Sequence, residues 1–298
     1  MQVNSWVKQL AAFFTLFLIT VAWGSTFILV KWAILEMDLY YFLFLRFLVS
    51  FLLLALFYWK YFLTIDRQLL KSSLILGLLM GIAYITQTEG LRFTTASNSS
   101  LITGLYLILI PIFSAFLFKE RFDAFTIVGV ILSLTGLVFL TQYNFQGFNL
   151  GDALSILCAI AYSWHVMITG RVTHHHPAAP LVMFQFLFIT VAYGLILPFR
   201  PDFSWAIPKI GWITLFITSV FATALAFVVQ TVAQRYVQPT QAGIIFSMEA
   251  VFGAFFGYWL GGEIMTRESF FGASLMVLGM FVASIQPVIK RLTHKTVT

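Results

Sequence analysis

Charged side chains are scarce in this chain, at 9 % of 298 residues, where a soluble globule carries nearer a quarter. A surface so poor in charge could not keep a chain that is 60 % hydrophobic in water, which excludes a soluble domain. Cysteine is almost absent. The single thiol, Cys158, lies in an apolar run, so neither a disulfide framework nor a thiolate metal cage can be built. The aspartates Asp38, Asp66, Asp123, Asp152 and Asp202 all fall at expected helix ends, which leaves no intramembrane aspartyl pair for catalysis. A serine nucleophile would find only His165 as a base, without a supporting motif. The phosphate-binding pattern G-x-x-x-x-G-K-[ST] is missing, which argues against ATP-driven work by this chain alone. A channel would need a ring of repeated charges or a filter-like loop, and neither occurs. His174-His175-His176 is not a metal motif: consecutive side chains point apart, and no acidic or cysteine ligand is near in sequence. No enzymatic activity, metal or cofactor is expected.

Long apolar runs are what the sequence does have. They are of membrane-crossing length and show no ten-residue alternation, which chooses a helical bundle over an outer-membrane barrel. The fold class is therefore all-α, an integral membrane protein with the lipid bilayer as its surroundings. Breaks at charged and Pro/Asn/Asp-rich positions give ten spans. They run Leu10 to Leu35, Tyr40 to Phe62, Ser72 to Leu91, Asn98 to Phe118, Phe125 to Gln142, Leu150 to Val172, Pro180 to Phe199, Ile210 to Ala233, Pro239 to Gly262 and Phe270 to Ile289. The run after Lys8 continues past Trp23 without a small-residue cleavage pattern, so it reads as the first span rather than a signal peptide. The net charge of +6 is spread over segment ends and forms no nucleic-acid patch. Its asymmetry orients the chain. Lys8, Lys60, Arg67, Lys71, Lys119, Arg121, Arg171, Arg235, Lys290, Arg291 and Lys295 fall on the side of both termini, against Lys31, Arg92, Arg200, Lys209 and Arg267 opposite. Both termini are expected in the cytoplasm, with the protein in the cytoplasmic (inner) membrane.

The second half repeats the first. A shift of 143 positions without a gap pairs Gln87 with Gln230, Thr88 with Thr231, Arg92 with Arg235, Phe113 with Phe256, Leu117 with Leu260, Glu120 with Glu263, Gly129 with Gly272 and Gly136 with Gly279. Two units of five helices result, residues 1–145 and 146–298. Five is odd, so the second unit enters from the opposite side and the halves are inverted copies, a design that places a solute site at their interface near mid-membrane.

Glu249 lies at that depth. Pro239 to Gly262 is 24 residues, roughly 36 Å of helix, with Glu249 near the middle as its one charge. A carboxylate there costs about 2.5 to 3.5 kcal/mol against lipid, so it must face protein or water, as a hydrogen-bonded strut or as a site. Arg46 is the other deep charge; it can snorkel, pair with Glu249 or Glu89, or take an anionic group of a solute. Tyr84, Gln87 and Thr88 share a face, mirrored by Phe227, Gln230 and Thr231. These amides either tie helices together or serve a bound solute. Trp23 and Trp164, at similar places in the first and sixth spans, could join Tyr84, Tyr106 and Phe252 in an aromatic cage. His165 titrates near neutrality and could relay protons, or be a packed polar residue.

Several motifs carry a family resemblance over nearly the whole chain. They are Trp23-Gly24-Ser25-Thr26-Phe27, Arg46-Phe47, the run GLRFTTASNSSLIT from Gly90 to Thr103, Gln238-Pro239-Thr240-Gln241-Ala242-Gly243, Glu249-Ala250-Val251-Phe252 and Gly262-Glu263. In order and spacing the chain resembles the drug/metabolite transporter superfamily, specifically its EamA-type ten-helix branch. Ala250 departs from the proline that the family often has there. The resemblance implies a secondary carrier of small metabolites with a cavity between the halves, working as an exporter. Aromatic walls with amides and charges suit amino acids or related amphipathic compounds as substrate, with protons as a candidate coupling ion. An importer, a facilitator, a channel and an intramembrane enzyme are the alternatives.

Overall fold

The computed structural model describes residues 5–63, 65–94, 99, 102–119, 124–141, 149–200, 204–262 and 266–295. Glu120, Arg121, Asp123, Gln142, Asp202 and Glu263, together with Thr95 to Asn98, Ser100 and Leu101 of the long motif, lie outside the described residues. Within those described, every regular element is helical. They are α1 (Ser5–Glu36), α2 (Leu39–Tyr58), α3 (Arg67–Gly90), α4 (Tyr106–Phe118) and α5 (Ala124–Thr141) in the first half. The second half supplies α6 (Leu150–Val172), α7 (Ala178–Gly194), α8 (Lys209–Ala233), α9 (Pro239–Gly261) and α10 (Arg267–Lys295). Seven of the described helices are long and apolar enough to cross a membrane, while Tyr106–Leu117, Ala124–Phe139 and Phe270–Val282 are shorter apolar stretches.

The aspartates explain where several helices begin. Asp38 accepts from the Tyr40 and Tyr41 amides at 2.9 and 3.0 Å, and Asp66 from Gln68 and Leu69, each quenching orphan N–H groups of a first turn. The Asp66 cap starts α3 at Arg67, five residues before Ser72, where apolarity alone put it. Asn149 and Asp152 close a reciprocal capping box at α6, and Thr94 Oγ1 donates to Asp152 at 2.9 Å.

Two helices are interrupted where apolarity suggested continuous rods. In α9, Ser247 Oγ donates to the Ile244 carbonyl at 2.7 Å, and the Ala250 amide bonds Ser247 at i+3 rather than i+4. A back-bonding serine and a tightened turn break the rod two residues before Glu249, without the proline that Ala250 replaces. Before α4, Leu107 and Ile108 bond Gly104 and Leu105 in the same i+3 manner. Gly104 and Ser247 are 143 positions apart. In α8, Ile217–Leu225 is π-helical, and its Ser219 and Ala222 carbonyls accept from Ser50 Oγ and Trp23 Nε1 at 2.8 and 2.9 Å.

The ends of the helices sort into two faces. On one, Arg235 donates to Thr173 Oγ1 at 3.2 Å and to the His176 carbonyl at 2.8 Å, and Lys8 stands over the Tyr236 ring. Ser72 Oγ meets His176 Nε2 there at 3.3 Å. On the other, Arg200 pairs with Asp38 at 3.2 Å, Tyr41 donates to the Trp205 carbonyl, and Gly90 meets Gly151.

Packing runs between the halves rather than within them. Helix α1 lies on α8 and α9, α2 on α7 and α8, α3 on α6 and α7, α4 on α6 and α9, and α5 on α10. The α5–α10 crossing is reciprocal. A Cβ at Gly136 would sit 2.5 Å from the Gly272 carbonyl oxygen, and one at Gly279 would sit 2.7 Å from that of Gly129. Bare backbone lets the helices touch without any hydrophobic drive from water. Gly136→Ala and Gly279→Ala should each destabilise by about 1 to 3 kcal/mol, the usual cost of overpacking, because a backbone carbonyl is in the way at both, joined at Gly279 by Ser133 Oγ. Thermal melts in detergent should show comparable losses at the two positions and none for Gly81→Ala, whose Cβ would meet only Ile189 and Tyr193 at 3.8 and 3.9 Å.

Candidate functional site

Glu249 is 7 % exposed and opens the second half of α9, so the break at Ser247 places its carboxyl at the end of a short helix rather than along a rod. It lines an inner cavity with Trp23, Thr26 and Phe27 of α1, Ala83, Tyr84 and Gln87 of α3, Thr103, and Cys158 and Tyr162 of α6. Both halves contribute. The space that takes a water-sized sphere is about 40 Å³, room for two or three waters at roughly 15 Å³ each and far less than a metabolite needs. Trp23 is fixed against Tyr162, Phe227 and Phe246 at 6.1, 5.5 and 5.2 Å, its Nε1 tied to α8, so one aromatic wall is rigid.

The sequence candidates separate into three groups. Glu249, Gln87, Tyr84 and Trp23 line the cavity. Tyr106 stands beside it, fully buried against Tyr162 at 5.5 Å, and close enough to Glu249 to interact although its hydroxyl completes no hydrogen bond of good geometry. Gln230, Trp164, Phe252, Arg46 and His165 are elsewhere. Gln230 Nε2 donates to Gln234, which donates to the Val166 carbonyl, so this amide ties helices together while its mate Gln87 faces the cavity. Trp164 packs on Phe113 and Phe252 on Phe17, which removes both from any cage. His165 bonds Gln185 at 3.1 Å and stacks on Tyr162.

Arg46 pairs with neither carboxylate proposed for it. Glu89 is engaged by Arg92 at 3.2 Å, and among the described residues Glu249 enters no ion pair. The guanidinium instead lies behind Tyr84, 4.7 Å over its ring and 3.4 Å from its hydroxyl, with Nε donating to Thr223 Oγ1 at 2.8 Å. Helix α2 buries it at 3 % exposure, so snorkelling is also ruled out. A cation thus stands behind one of the rings that line the cavity, which Glu249 also lines, so groups of opposite charge type border it.

Thr26, Phe27, Thr103, Cys158 and Tyr162 were not singled out as site residues. Cys158 and Tyr162 carry a readable signal, being polar at i and i+4 on α6; the others are single small or aromatic residues among many.

Outside the membrane, burial of His176 lowers its pKa from the usual 6.5, partly offset by Asp66, which raises it. A depressed folded pKa means that the neutral ring is favoured, so its contribution to stability is present above the unfolded value and lost as pH falls through the folded one. The Arg235 cluster should therefore loosen below pH ~6.5. Hydrogen exchange at residues 173–176, corrected for its intrinsic pH dependence, should accelerate on acidification, and His176→Asn should flatten that dependence.

A family model described as "EamA-like transporter family" matches residues 10–142 and 149–285. An "uncharacterized transporter" of Archaeoglobus fulgidus is 32 % identical over 282 residues, covering 94 % of this chain and 88 % of its own. The transporter YoaV of Bacillus subtilis is 25 % identical, over 89 % and 93 % of the two chains. Purine permease 3 of Arabidopsis thaliana is 23 % identical over 76 % of this chain and 61 % of its own. A crystal structure at 18 % identity superposes with a TM-score of 0.75 over 93 % of this chain and 98 % of that one, a likeness of fold.

Proposed function

This chain belongs to the EamA-like transporter family, and from that premise we propose that it is a secondary carrier that exports small amphipathic amino acids or related metabolites by alternating access. It is a multi-pass membrane transporter and not an enzyme. The observation that carries the finer reading is the cavity bordered by groups of opposite charge type. Glu249 and Tyr84 backed by Arg46 suit a solute with separated positive and negative ends, while Trp23, Phe27 and Tyr162 suit an apolar body.

The reading has ten crossings in two inverted sets of five, both termini in the cytoplasm and the Arg235 face turned inward. Its support is internal symmetry. Adding five to each helix number exchanges the packing pairs: α1 on α9 becomes α6 on α4, α3 on α6 becomes α8 on α1, and α2 on α7 and α5 on α10 map to themselves. Gly136 against Gly272 maps to Gly279 against Gly129, and Glu249 stands beside Tyr106, its mate in the repeat. Such a dyad lets the halves exchange conformations, opening the cavity to either side. A cavity of about 40 Å³ is then a contracted state.

A purine-like cargo is the second reading, favoured by aromatic walls next to Gln87 and Glu249 and by the name of the Arabidopsis relative. Vesicles reconstituted with the protein should separate the two. Leucine, phenylalanine, adenine, a hexose and inorganic phosphate would be screened for flux with and without a pH gradient. Transport of the amino acids is the expected result; flux of adenine alone would move the assignment to the second reading, and flux of sugars or phosphates alone would overturn both.

A further inference from the structure

Cys158, Tyr162, His165, Thr169 and Thr173 recur at spacings of three and four along α6 and so share one face. The first two line the cavity, and the last accepts from Arg235 at the far end. The residues between are polar, buried and incompletely bonded. His165 Nε2 lies 3.1 Å from Gln185 Oε1; an amide oxygen only accepts, so with that assignment Nε2 carries the proton and Nδ1 is an acceptor. That Nδ1 has no partner, and neither do Gln185 Nε2, Thr169 Oγ1 or Gln230 Oε1, in residues at most 1 % exposed. Gln230 is held to this layer by its link through Gln234 to the Val166 carbonyl and by Phe227, one turn earlier, which meets the His165 ring edge-on at 5.8 Å.

Four orphaned polar atoms, on segments tied together by the His165–Gln185 and Gln234–Val166 hydrogen bonds, are an expensive way to fill a helix interface, since each forgoes a hydrogen bond that water would supply. A packed strut would satisfy them or dispense with them. The set contains donors and acceptors, and no charged side chain belongs to it. It sits between the Glu249 cavity and the Arg235 face, on the stripe that joins the two.

We propose that His165, Thr169, Gln185 and Gln230 form a second station of the transport path, which binds an uncharged donor–acceptor group of the cargo when the helices on the Arg235 side part. The proposal rests on the carrier reading, and it assigns these residues to passage rather than to the resting cavity. Its chemistry is that of an amide, a hydroxyl, a ring N–H or a water travelling with the solute, each able to offer and accept at once.

Cysteine accessibility tests the station without knowledge of the cargo. In a Cys158→Ser background, Thr169→Cys and Gln230→Cys should react with methanethiosulfonate ethylammonium from the Arg235 side at least tenfold faster than Met167→Cys, a fully buried position on the opposite side of α6. Rates no faster than that control, from either side, would overturn the station. Slowing by whichever of leucine, phenylalanine or adenine the vesicles carry is expected; reaction without such protection would make it a water site and sink the cargo-binding claim. Reactive cysteines in a protein that carries none of these solutes would count against the proposed function alone. A second measurement addresses packing. His165→Leu combined with Gln185→Leu should melt at the parental temperature or above while flux falls at least tenfold; a lower melting temperature with parental flux would identify a structural pair instead.

Discussion

Glu249→Gln is expected to fold and insert at parental abundance yet lose gradient-driven flux by about a hundredfold, equal to about 2.8 kcal/mol at the limiting step. The amide keeps the shape and hydrogen-bonding reach of the acid in a cavity of about 40 Å³, where a larger side chain would not fit, but it cannot take up or release a proton. Only one half supplies such a group, because the matching position is Tyr106, so coupling would be lost rather than halved. Exchange of solute across vesicles without a pH gradient should survive. Parental pH-dependent flux in the variant would remove the coupling role, and unchanged affinity as well would leave Glu249 as a strut.

Arg46→Met should melt no lower than the parent and transport about thirtyfold less. A buried guanidinium held by two neutral hydroxyls and one aromatic ring, with no carboxylate, is poorly compensated for the water it has lost, so an apolar side chain of similar length relieves the fold. What disappears is the positive field behind Tyr84 that favours an anionic end of the solute, and thirtyfold corresponds to about 2 kcal/mol. Arg46 acts through Tyr84 and is a positioning residue. Its test is therefore the affinity for neutral against zwitterionic probes: a selective loss for the zwitterion is expected, whereas equal losses for both would reduce Arg46 to packing. Arg46→Lys should not rescue, since a compact ammonium cannot span Thr223 and Tyr84 together.

Much of this was legible in the chain because a bilayer simplifies the code. Apolar length fixed the helices, and the 143-residue register foretold that Gly129, Gly136, Gly272 and Gly279 were special, although not that they would meet each other. Glu249 was legible because a charge among apolar residues has no innocent position. For Arg46 the sequence left snorkelling, a carboxylate partner or an anionic solute group open, and its actual neighbours were unreadable because hydroxyls and rings in a chain with 34 phenylalanines and 11 tyrosines carry no distinguishing pattern. The equivalence of Gln87 and Gln230 failed for a related reason. Sequence symmetry makes two amides alike, whereas their neighbours differ, Gln230 bonding Gln234 while Gln87 lines the cavity. The break at Ser247 was missed because a serine costs a helix almost nothing in apolarity and reveals its back-bond only in three dimensions.

The interlocking of α1 to α5 with α6 to α10 bears on how the protein is made. While the ribosome has delivered only the first half, the partners of every one of its helices are still unsynthesised. At roughly 5 to 20 residues per second the remainder takes on the order of ten seconds or more. Throughout that interval Arg46, Ser133 and the bare flank of Gly136 have no helix to shelter them from lipid. The nascent half thus depends on a host, the insertion machinery or a membrane chaperone, to hold it loosely until α6, α7 and α10 arrive. Residues 1–145, a unit by the repeat in the sequence, should for that reason not fold on their own.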